Sequence, residues 1–336
     1  MRYLLAFLPL FIGTISAFDS KPVRGYHLNG QAQGTTYHIT YYSSDSSISR
    51  GQVDSILNSI DSSLSIYKPW SLISRFNQGT APITMDQHMA VVLNKSMETW
   101  RQTEGIFDVT VQPLVQAWGF GTKEHGQLPD SAAILALKQC VDTRYLTIAG
   151  TQLSKAKPCT RLDVNGIAQG YSVDVLADFF DRKSIDNYIV ELGGEIRIKG
   201  RRQPSKERMK IGIEAPGEDE FQMNLLQKIV SLDSGAITTS GSYRKFYESG
   251  GKRISHIIDP RSGYPTQNEL ISVTLYAPDA ITADAYDNAL MVMGLQKALA
   301  FVEQRKDMAA YFIYRNDKGK IVDTASSRFY RFINER

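Results

Sequence analysis

Two oxygen-bearing side chains stand four residues apart in residues 284–290, where they could bind a cation. If this segment is helical, Asp284 and Asn288 share one face of the helix. Carboxylate and amide oxygens on one face suit a hard cation such as Mg²⁺. A solvated polar stripe would have the same spacing, and Asp287 would then be a surface charge rather than a third ligand. The segment therefore predicts either a cation site or an exposed helix face.

A glycine-rich stretch, residues 163–170, precedes an expected helix that extends to about Arg182. Gly166 and Gly170 would let a ligand approach the backbone closely. The unpaired N–H groups and the dipole of a helix start favour a phosphate. The stretch matches neither a P-loop nor a dinucleotide-binding fingerprint. It therefore predicts either a phosphate contact or a helix entry packed against a sheet.

His256 has the position expected of a general base. It lies in an expected strand, residues 253–258, that is followed by a tight turn at residues 259–263. A histidine at a strand end can accept a proton near neutral pH. Asp259 is expected to cap the backbone of this turn whether or not His256 takes part in catalysis.

The elements that must position these residues alternate between helix and strand patterns. Apolar spacing predicts helices over residues 49–67, 86–104, 131–140, 170–182, 279–293 and 295–305. Alternating and β-branched runs predict strands over residues 35–42, 188–192, 195–199, 209–214, 228–232, 253–258, 271–276, 309–314 and 321–322, with a hairpin over 145–154. Paired helices between runs of strands predict the α+β class.

The composition is that of an ordinary globular protein. Of the 336 residues, 42% are hydrophobic and 22% are charged, and the formal net charge is +3. No long basic run occurs, so nothing in the sequence indicates nucleic-acid binding.

The N-terminus reads as a cleavable secretory signal. Arg2 precedes an apolar run over residues 4–15, which is shorter than the ~20 residues that span a membrane. Small residues follow, and we place the cleavage after Ala17. A buried first strand or helix is the alternative. We expect residues 18–336 to form one periplasmic domain without a transmembrane span, and without a lipid anchor because no Cys lies near residue 20.

Cys140 and Cys159 are the only cysteines. An oxidising compartment would permit a disulfide between them. Two buried free thiols are an equally good interpretation of the sequence.

Six short segments together carry a resemblance to a known family: 34–37, 64–77, 105–121, 163–174, 239–263 and 284–290. In this order they resemble the ApbE family of FAD:protein FMN transferases, and the resemblance extends over about residues 34–294. The resemblance implies two T-fold-like α+β halves, each with an antiparallel sheet and paired helices, and FAD bound at their seam.

The resemblance also implies a role for particular residues. The ring of Tyr67 would stack on the isoalloxazine, and the carbonyl of Gly166 would join Asp284 and Asn288 as metal ligands. The remaining residues expected at the FAD site are Gln33, Thr103, Glu104, Gly105, Asp163, Gln169, His256 and Ile258.

The sequence departs from the family pattern at three of these positions. Gln33 stands where many relatives have Met, and Gln169 stands where many have Lys or Glu. Asn288 stands where Thr often binds the metal, and its carbonyl oxygen remains a suitable ligand for Mg²⁺.

The activity implied by the resemblance is a Mg²⁺-dependent transfer of FMN from FAD to a Ser or Thr hydroxyl of an acceptor protein, with release of AMP. His256 would accept the hydroxyl proton. The acceptor would be a subunit of a membrane redox complex, such as a sodium-pumping quinone oxidoreductase. An FAD pyrophosphatase and a non-catalytic periplasmic flavin-binding protein are the alternatives.

Overall fold

The computed structural model describes residues 22–122, 128–214, 226–242, 246–249 and 252–333. The expected signal segment, residues 1–17, lies outside the described residues, as does Tyr243.

One eight-stranded antiparallel sheet forms the centre of the molecule. In spatial order its strands are β1 (Arg24–Ala32), β2 (Thr35–Ser43), β6 (Tyr188–Leu192), β7 (Glu195–Lys199), β10 (Ser234–Gly241), β15 (Leu270–Ala277), β16 (Ala309–Arg315) and β17 (Ile321–Ala325). Every neighbouring pair is antiparallel.

Eight helices lie within the described residues. They are α1 (Arg50–Leu64), α2 (Leu72–Gln78), α3 (Gln87–Gln102), α4 (Gln112–Ala117), α5 (Ser131–Lys138), α6 (Ala168–Arg182), α7 (Ala280–Met293) and α8 (Leu295–Glu303). Side-chain caps explain several of their starts: Ser49, Ser71, Asp86, Asp130 and Asp279 each accept a backbone N–H of the first turn.

The sheet consists of two four-stranded halves that meet at β7 and β10. Helix α6 packs on β6 and β7, helix α7 packs on β10 and β15, and the two helices contact each other over the seam. The α+β class is therefore confirmed. The two expected antiparallel sheets are joined edge to edge, because Gly235 and Ile237 of β10 pair with Ile198 and Ile196 of β7.

Gly170 permits the close contact between α6 and α7. A Cβ atom at this position would lie 2.3 Å from the carbonyl oxygen of Ala280 and 2.7 Å from the Cβ of Asp284. Both distances are far below van der Waals contact, so only glycine fits between the helices at this separation.

The opposite face of the sheet is covered by a hairpin of β8 (Met209–Glu214) and β9 (Leu226–Leu232) and by a 3₁₀ turn at Phe329–Phe332. The remaining strands form short sheets: β3 (Ile83–Thr84), β4 (Leu146–Ala149) and β5 (Gln152–Lys155); β11 (Phe246–Ser249) and β12 (Lys252–Ser255); and β13 (Ile258–Asp259) and β14 (Tyr264–Pro265). The hairpin expected over residues 145–154 is confirmed by β4 and β5.

The helix expected over residues 49–67 ends at Leu64, so Tyr67 lies in a loop. The carbonyl oxygen of Ser65 accepts hydrogen bonds from the hydroxyls of Ser71 at 2.7 Å and Ser74 at 3.3 Å. These side chains from the start of α2 satisfy the carbonyl and end the helix.

The single strand expected over residues 253–258 is wrong. The chain forms β12 and β13, which pair with different partners, and His256 lies between them. The Ser255 hydroxyl accepts the N–H of Ile257 at 3.2 Å, and this local bond replaces a ladder bond. His256 nevertheless follows directly on a strand end, as the sequence predicts.

Cys140 and Cys159 form a disulfide whose Cα atoms are 5.4 Å apart, so the interpretation as free thiols is wrong. Within the described residues, no helix has both the length and the apolar character needed to cross a membrane.

Candidate active site

The start of α7 is held by a carboxylate of α6. Asp174 accepts the backbone N–H of Ala280 at 2.9 Å and that of Ile281 at 2.8 Å. The guanidinium of Arg197 lies 3.3 Å from the same carboxylate and also donates to the carbonyl of Pro278. These contacts set the position of α7 along α6 and so align the residues of the site.

Asp284 and Asp287 are buried carboxylates, 3% and 1% exposed. Asp284 accepts the N–H of Gly170 at 2.8 Å, and Asp287 accepts the hydroxyl of Thr238 at 2.6 Å. Burial raises the pKa of Asp284 to about 7. Burial and the charge of Asp284 raise the pKa of Asp287 well above its ordinary value. The interpretations of these residues as a solvated stripe and a surface charge are therefore wrong.

The amide of Asn288 is held in a network. Its Nδ2 donates to the carbonyl oxygen of Asp284 at 3.1 Å and to Oδ1 of Asp287 at 3.0 Å. Its Oδ1 accepts the hydroxyl of Ser240 at 3.1 Å. The expected pairing of Asp284 and Asn288 on one face of a helix is confirmed.

Gly166 lies against Asn288, although the two are far apart in sequence. A Cβ atom on Gly166 would lie 3.2 Å from Nδ2 and 3.4 Å from Cγ of Asn288. The structure thus places Gly166 against Asn288, which lies one turn of α7 from Asp284; these are the three residues expected to bind the metal.

The donor set fits a hard cation. The carboxylates of Asp284 and Asp287 are both buried and interact electrostatically, and no salt bridge to either occurs among the described residues. A positive charge there would relieve the repulsion between Asp284 and Asp287. No group of three His, Cys, Asp or Glu side chains suited to a metal occurs in the part of the chain that the structure describes. A cation would therefore also need amide or backbone oxygens, which Mg²⁺ accepts.

Tyr67 and Asp163 are close in space. Tyr67 is 58% exposed in the loop between α1 and α2, and its hydroxyl accepts a hydrogen bond from Nδ2 of Asn165 at 3.3 Å. Asp163 is buried and accepts the N–H of Asn165 at 2.9 Å. Partial burial of the hydroxyl and the negative charge of Asp163 raise the pKa of Tyr67.

Gln33 and Gln169 both lie near the start of α6. Gln33 contacts this helix from the turn between β1 and β2, and Gln169 lies in the first turn of the helix itself. Gln33 Nε2 donates to the hydroxyl of Ser172 in α6 at 2.8 Å. A Cβ atom on Gly193, in the turn between β6 and β7, would lie 2.7 Å from Nε2 of Gln169 and 2.9 Å from Cγ2 of Thr35. The Gln169 amide therefore lies over this turn.

Thr103, Glu104 and Gly105 end helix α3. The buried Thr103 hydroxyl donates to the carbonyl of Thr99 at 2.7 Å and accepts the N–H of Phe107 at 3.1 Å. Glu104 and Gly105 both have left-handed backbone conformations, with φ of +53° and +80°. Their shared role in the structure is to turn the chain out of the helix.

His256 and Ile258 lie beside α4 and the segment that follows it. The ring of half-buried His256 packs edge-on against Phe120, with centroids 6.2 Å apart. The side chain of Ile258 is buried in an apolar cluster with Leu114 and Trp118. Asp259 accepts the N–H of Arg261 at 2.9 Å, which confirms the expected cap of the turn.

No role was predicted from the sequence for Asp174, Thr238 or Ser240, although Asp174 and Ser240 lie within two of the segments that carry the resemblance. Thr238 and Ser240 are two apart in β10, so they face the same side of the sheet. The alternating small and polar residues of this strand were the available signal, but they resemble a turn sequence.

Comparisons with known proteins agree with this geometry. Residues 33–312 match the sequence profile of the ApbE family. The chain is 37% identical to a FAD:protein FMN transferase of Vibrio cholerae, with 94% of this chain and 95% of the relative covered. It is 36% identical to a FAD:protein FMN transferase of Haemophilus influenzae, with 91% of each covered. The solved structure of the flavin transferase ApbE from Vibrio cholerae superposes with a TM-score of 0.82 at 35% identity, covering 93% of this chain and all of that one. From the profile, the identities and the shared fold together, we conclude that this chain belongs to the ApbE family.

Proposed function

We propose that this protein transfers FMN from FAD to a Ser or Thr hydroxyl of an acceptor protein, in a reaction that requires Mg²⁺ and releases AMP. The relatives' activity supports the transfer. The observation that carries the proposal is the meeting of Gly166 with Asn288, one turn of α7 from buried Asp284. This arrangement supplies oxygen ligands next to the helix start at which a phosphate would bind.

The proposed step is a displacement at the FMN-side phosphorus of FAD. The acceptor oxygen forms a bond to this phosphorus, and the bond from the phosphorus to the bridging oxygen breaks. AMP leaves with the bridging oxygen, and His256 accepts the hydroxyl proton. When bound by Gly166, Asp284 and Asn288, Mg²⁺ would neutralise charge on the pyrophosphate.

The remaining site residues are assigned to binding FAD. Tyr67 is exposed, which would let its ring stack on the isoalloxazine, and its hydroxyl accepts a hydrogen bond from Asn165. Asp163 and Ile258 are assigned to the flavin side, and Thr103, Glu104 and Gly105 to the adenine side. Gln33 and Gln169 supply neutral amides near the start of α6.

We also propose export to the periplasm, where the acceptor would be a subunit of a membrane redox complex. The disulfide between Cys140 and Cys159 supports an oxidising compartment.

The test is to incubate residues 18–336 with FAD, Mg²⁺ and a candidate acceptor domain, and to weigh the acceptor by intact mass spectrometry. A mass gain of one FMN residue, abolished by chelating Mg²⁺, is the expected result. Free FMN and AMP without a mass gain would instead identify a pyrophosphatase. FAD that is bound but unchanged would identify a flavin carrier.

A further inference from the structure

We propose that Ser240 is a positioning residue that, together with Asp287, sets the orientation in which Asn288 presents its carbonyl oxygen to the metal. The proposal rests on the metal site of the proposed function. An amide can turn either its oxygen or its nitrogen towards a cation, whereas both atoms of an aspartate carboxylate are oxygens. The orientation of the side chain therefore matters for Asn288.

The hydrogen bonds of Asn288 use almost all of the amide's capacity. Its two N–H groups are both engaged, one with the carbonyl oxygen of Asp284 and one with Oδ1 of Asp287. Its carbonyl oxygen has two lone pairs, and one of them accepts the Ser240 hydroxyl. One lone pair of Oδ1 is left for a cation.

The opposite orientation of the amide is unfavourable. Rotating Asn288 by half a turn would point Oδ1 at the backbone carbonyl oxygen of Asp284, which can only accept, and at Oδ1 of Asp287, which is an acceptor when that carboxyl is ionised. It would also point Nδ2 at Ser240, which could then only accept. Because Asp287 is 1% exposed, no bulk water can relieve the clash of acceptors. Asp287 therefore selects one orientation, and Ser240 holds the oxygen in it.

Strand β10 supplies this support because its side chains alternate. Thr238 and Ser240 face α7, where they bond Asp287 and Asn288. Thr239 faces the other way, and its hydroxyl pairs with that of Thr274 at 2.9 Å. Two neighbouring hydroxyls of β10 can therefore be compared: that of Ser240 contacts Asn288 at the metal site, and that of Thr239 lies on the opposite face of the sheet.

The experiment measures binding of the metal alone, without FAD. Mn²⁺ is titrated into wild type, Ser240→Ala, Ser240→Thr and Thr239→Val, and free Mn²⁺ is followed by electron paramagnetic resonance. Competition with Mg²⁺ gives its affinity. Loss of a residue that orients a metal ligand typically weakens binding 10- to 100-fold, so we expect at least a roughly tenfold weaker Kd for Ser240→Ala. Ser240→Thr retains a hydroxyl and should stay within about threefold of wild type.

Thr239→Val is the control for a merely structural role. It leaves the hydroxyl of buried Thr274 without its partner, so it should lower Tm while the Mn²⁺ affinity stays at the wild-type value. The FMN-transfer assay adds a second readout: Ser240→Ala should raise the Mg²⁺ concentration for half-maximal rate, and saturating Mg²⁺ should restore most of kcat.

An unchanged Mn²⁺ affinity in Ser240→Ala would overturn the proposal, whether or not Tm falls. An equal loss of affinity in Ser240→Ala and Thr239→Val would overturn it too, since the effect would then be general to the strand. Failure of the proposed function is distinguishable, because wild type would then bind Mn²⁺ with the Ser240 dependence but transfer no FMN.

Discussion

Replacing Gly170 by alanine tests whether the contact between α6 and α7 determines the stability of this fold. In an isolated helix, this change is expected to stabilise by up to about 1 kcal/mol. In this protein the new Cβ atom would lie 2.3 Å from the carbonyl oxygen of Ala280. The helices would have to separate by roughly 1 Å to reach van der Waals contact, at an overpacking cost of about 1–3 kcal/mol.

The same movement would stretch the hydrogen bond from the N–H of Gly170 to Asp284, which is 2.8 Å long. A bond to a buried carboxylate contributes about 1.5–3 kcal/mol. The losses exceed the propensity gain, and we expect Gly170→Ala to lower the free energy of unfolding by about 2–4 kcal/mol. Because Asp284 moves with the helix, FMN transfer should fall as well.

Urea unfolding followed by far-ultraviolet circular dichroism gives the free energy from the midpoint and slope. Gly51→Ala is the matched control, since this exposed glycine lies in the first turn of α1 and a Cβ there would be 3.9 Å from the nearest atom, Oγ of Ser49. The control should be unchanged or more stable by up to about 1 kcal/mol. If Gly170→Ala proved as stable as Gly51→Ala, the inter-helix contact would not be the constraint that we describe.

Three further predictions concern separate parts of the molecule. His256→Ala should lower kcat for FMN transfer by about 100-fold or more with FAD still bound, and transfer near the wild-type rate would remove His256 as the base. Asp174→Ala removes the two hydrogen bonds that this side chain accepts from the start of α7 and leaves the Asp279 cap in place, so the unfolding free energy should fall by about 1–2 kcal/mol in urea; an unchanged value would show that the Asp174 contacts are dispensable. Replacing Cys140 and Cys159 by serine opens a loop with a sequence separation of 19, which should cost about 3 kcal/mol of stability by the chain-entropy argument. Equal urea midpoints for the oxidised wild type and this double variant would contradict that estimate.

Much of the secondary structure follows from local patterns. Strands β6, β7 and β8 have the bounds that the sequence predicts, because each is a short apolar alternation between turn residues. The bounds of α3 and α7 follow within two residues from periodicity and from the caps Asp86 and Asp279. Strands β1 and β10 were missed, since glycines and polar residues interrupt both.

In the candidate site, too, some features follow from local sequence and others depend on tertiary packing. The spacing of Asp284 and Asn288 places them on one helix face whatever the rest of the chain does, because the helical period is local. Their burial is not local: it depends on β10 and on the start of α6, which are distant in sequence. Asp287 therefore could be a surface charge or a buried acid until the packing of α7 is known.

By itself, the sequence determined the α+β class and the positions of most helices, because these follow from the periodicity of short segments. It also determined the set of residues that resemble a flavin transferase site, because these lie in motifs that occur in a fixed order. Only the tertiary structure decided that the two antiparallel sheets join through β7 and β10, that Cys140 bonds Cys159, and that Ser240 supports Asn288. These features depend on contacts between residues far apart in the chain. The position of α7 shows how far apart such residues can be: Gly170 donates to Asp284, 114 positions along the chain, and a local sequence pattern does not specify a contact over that separation.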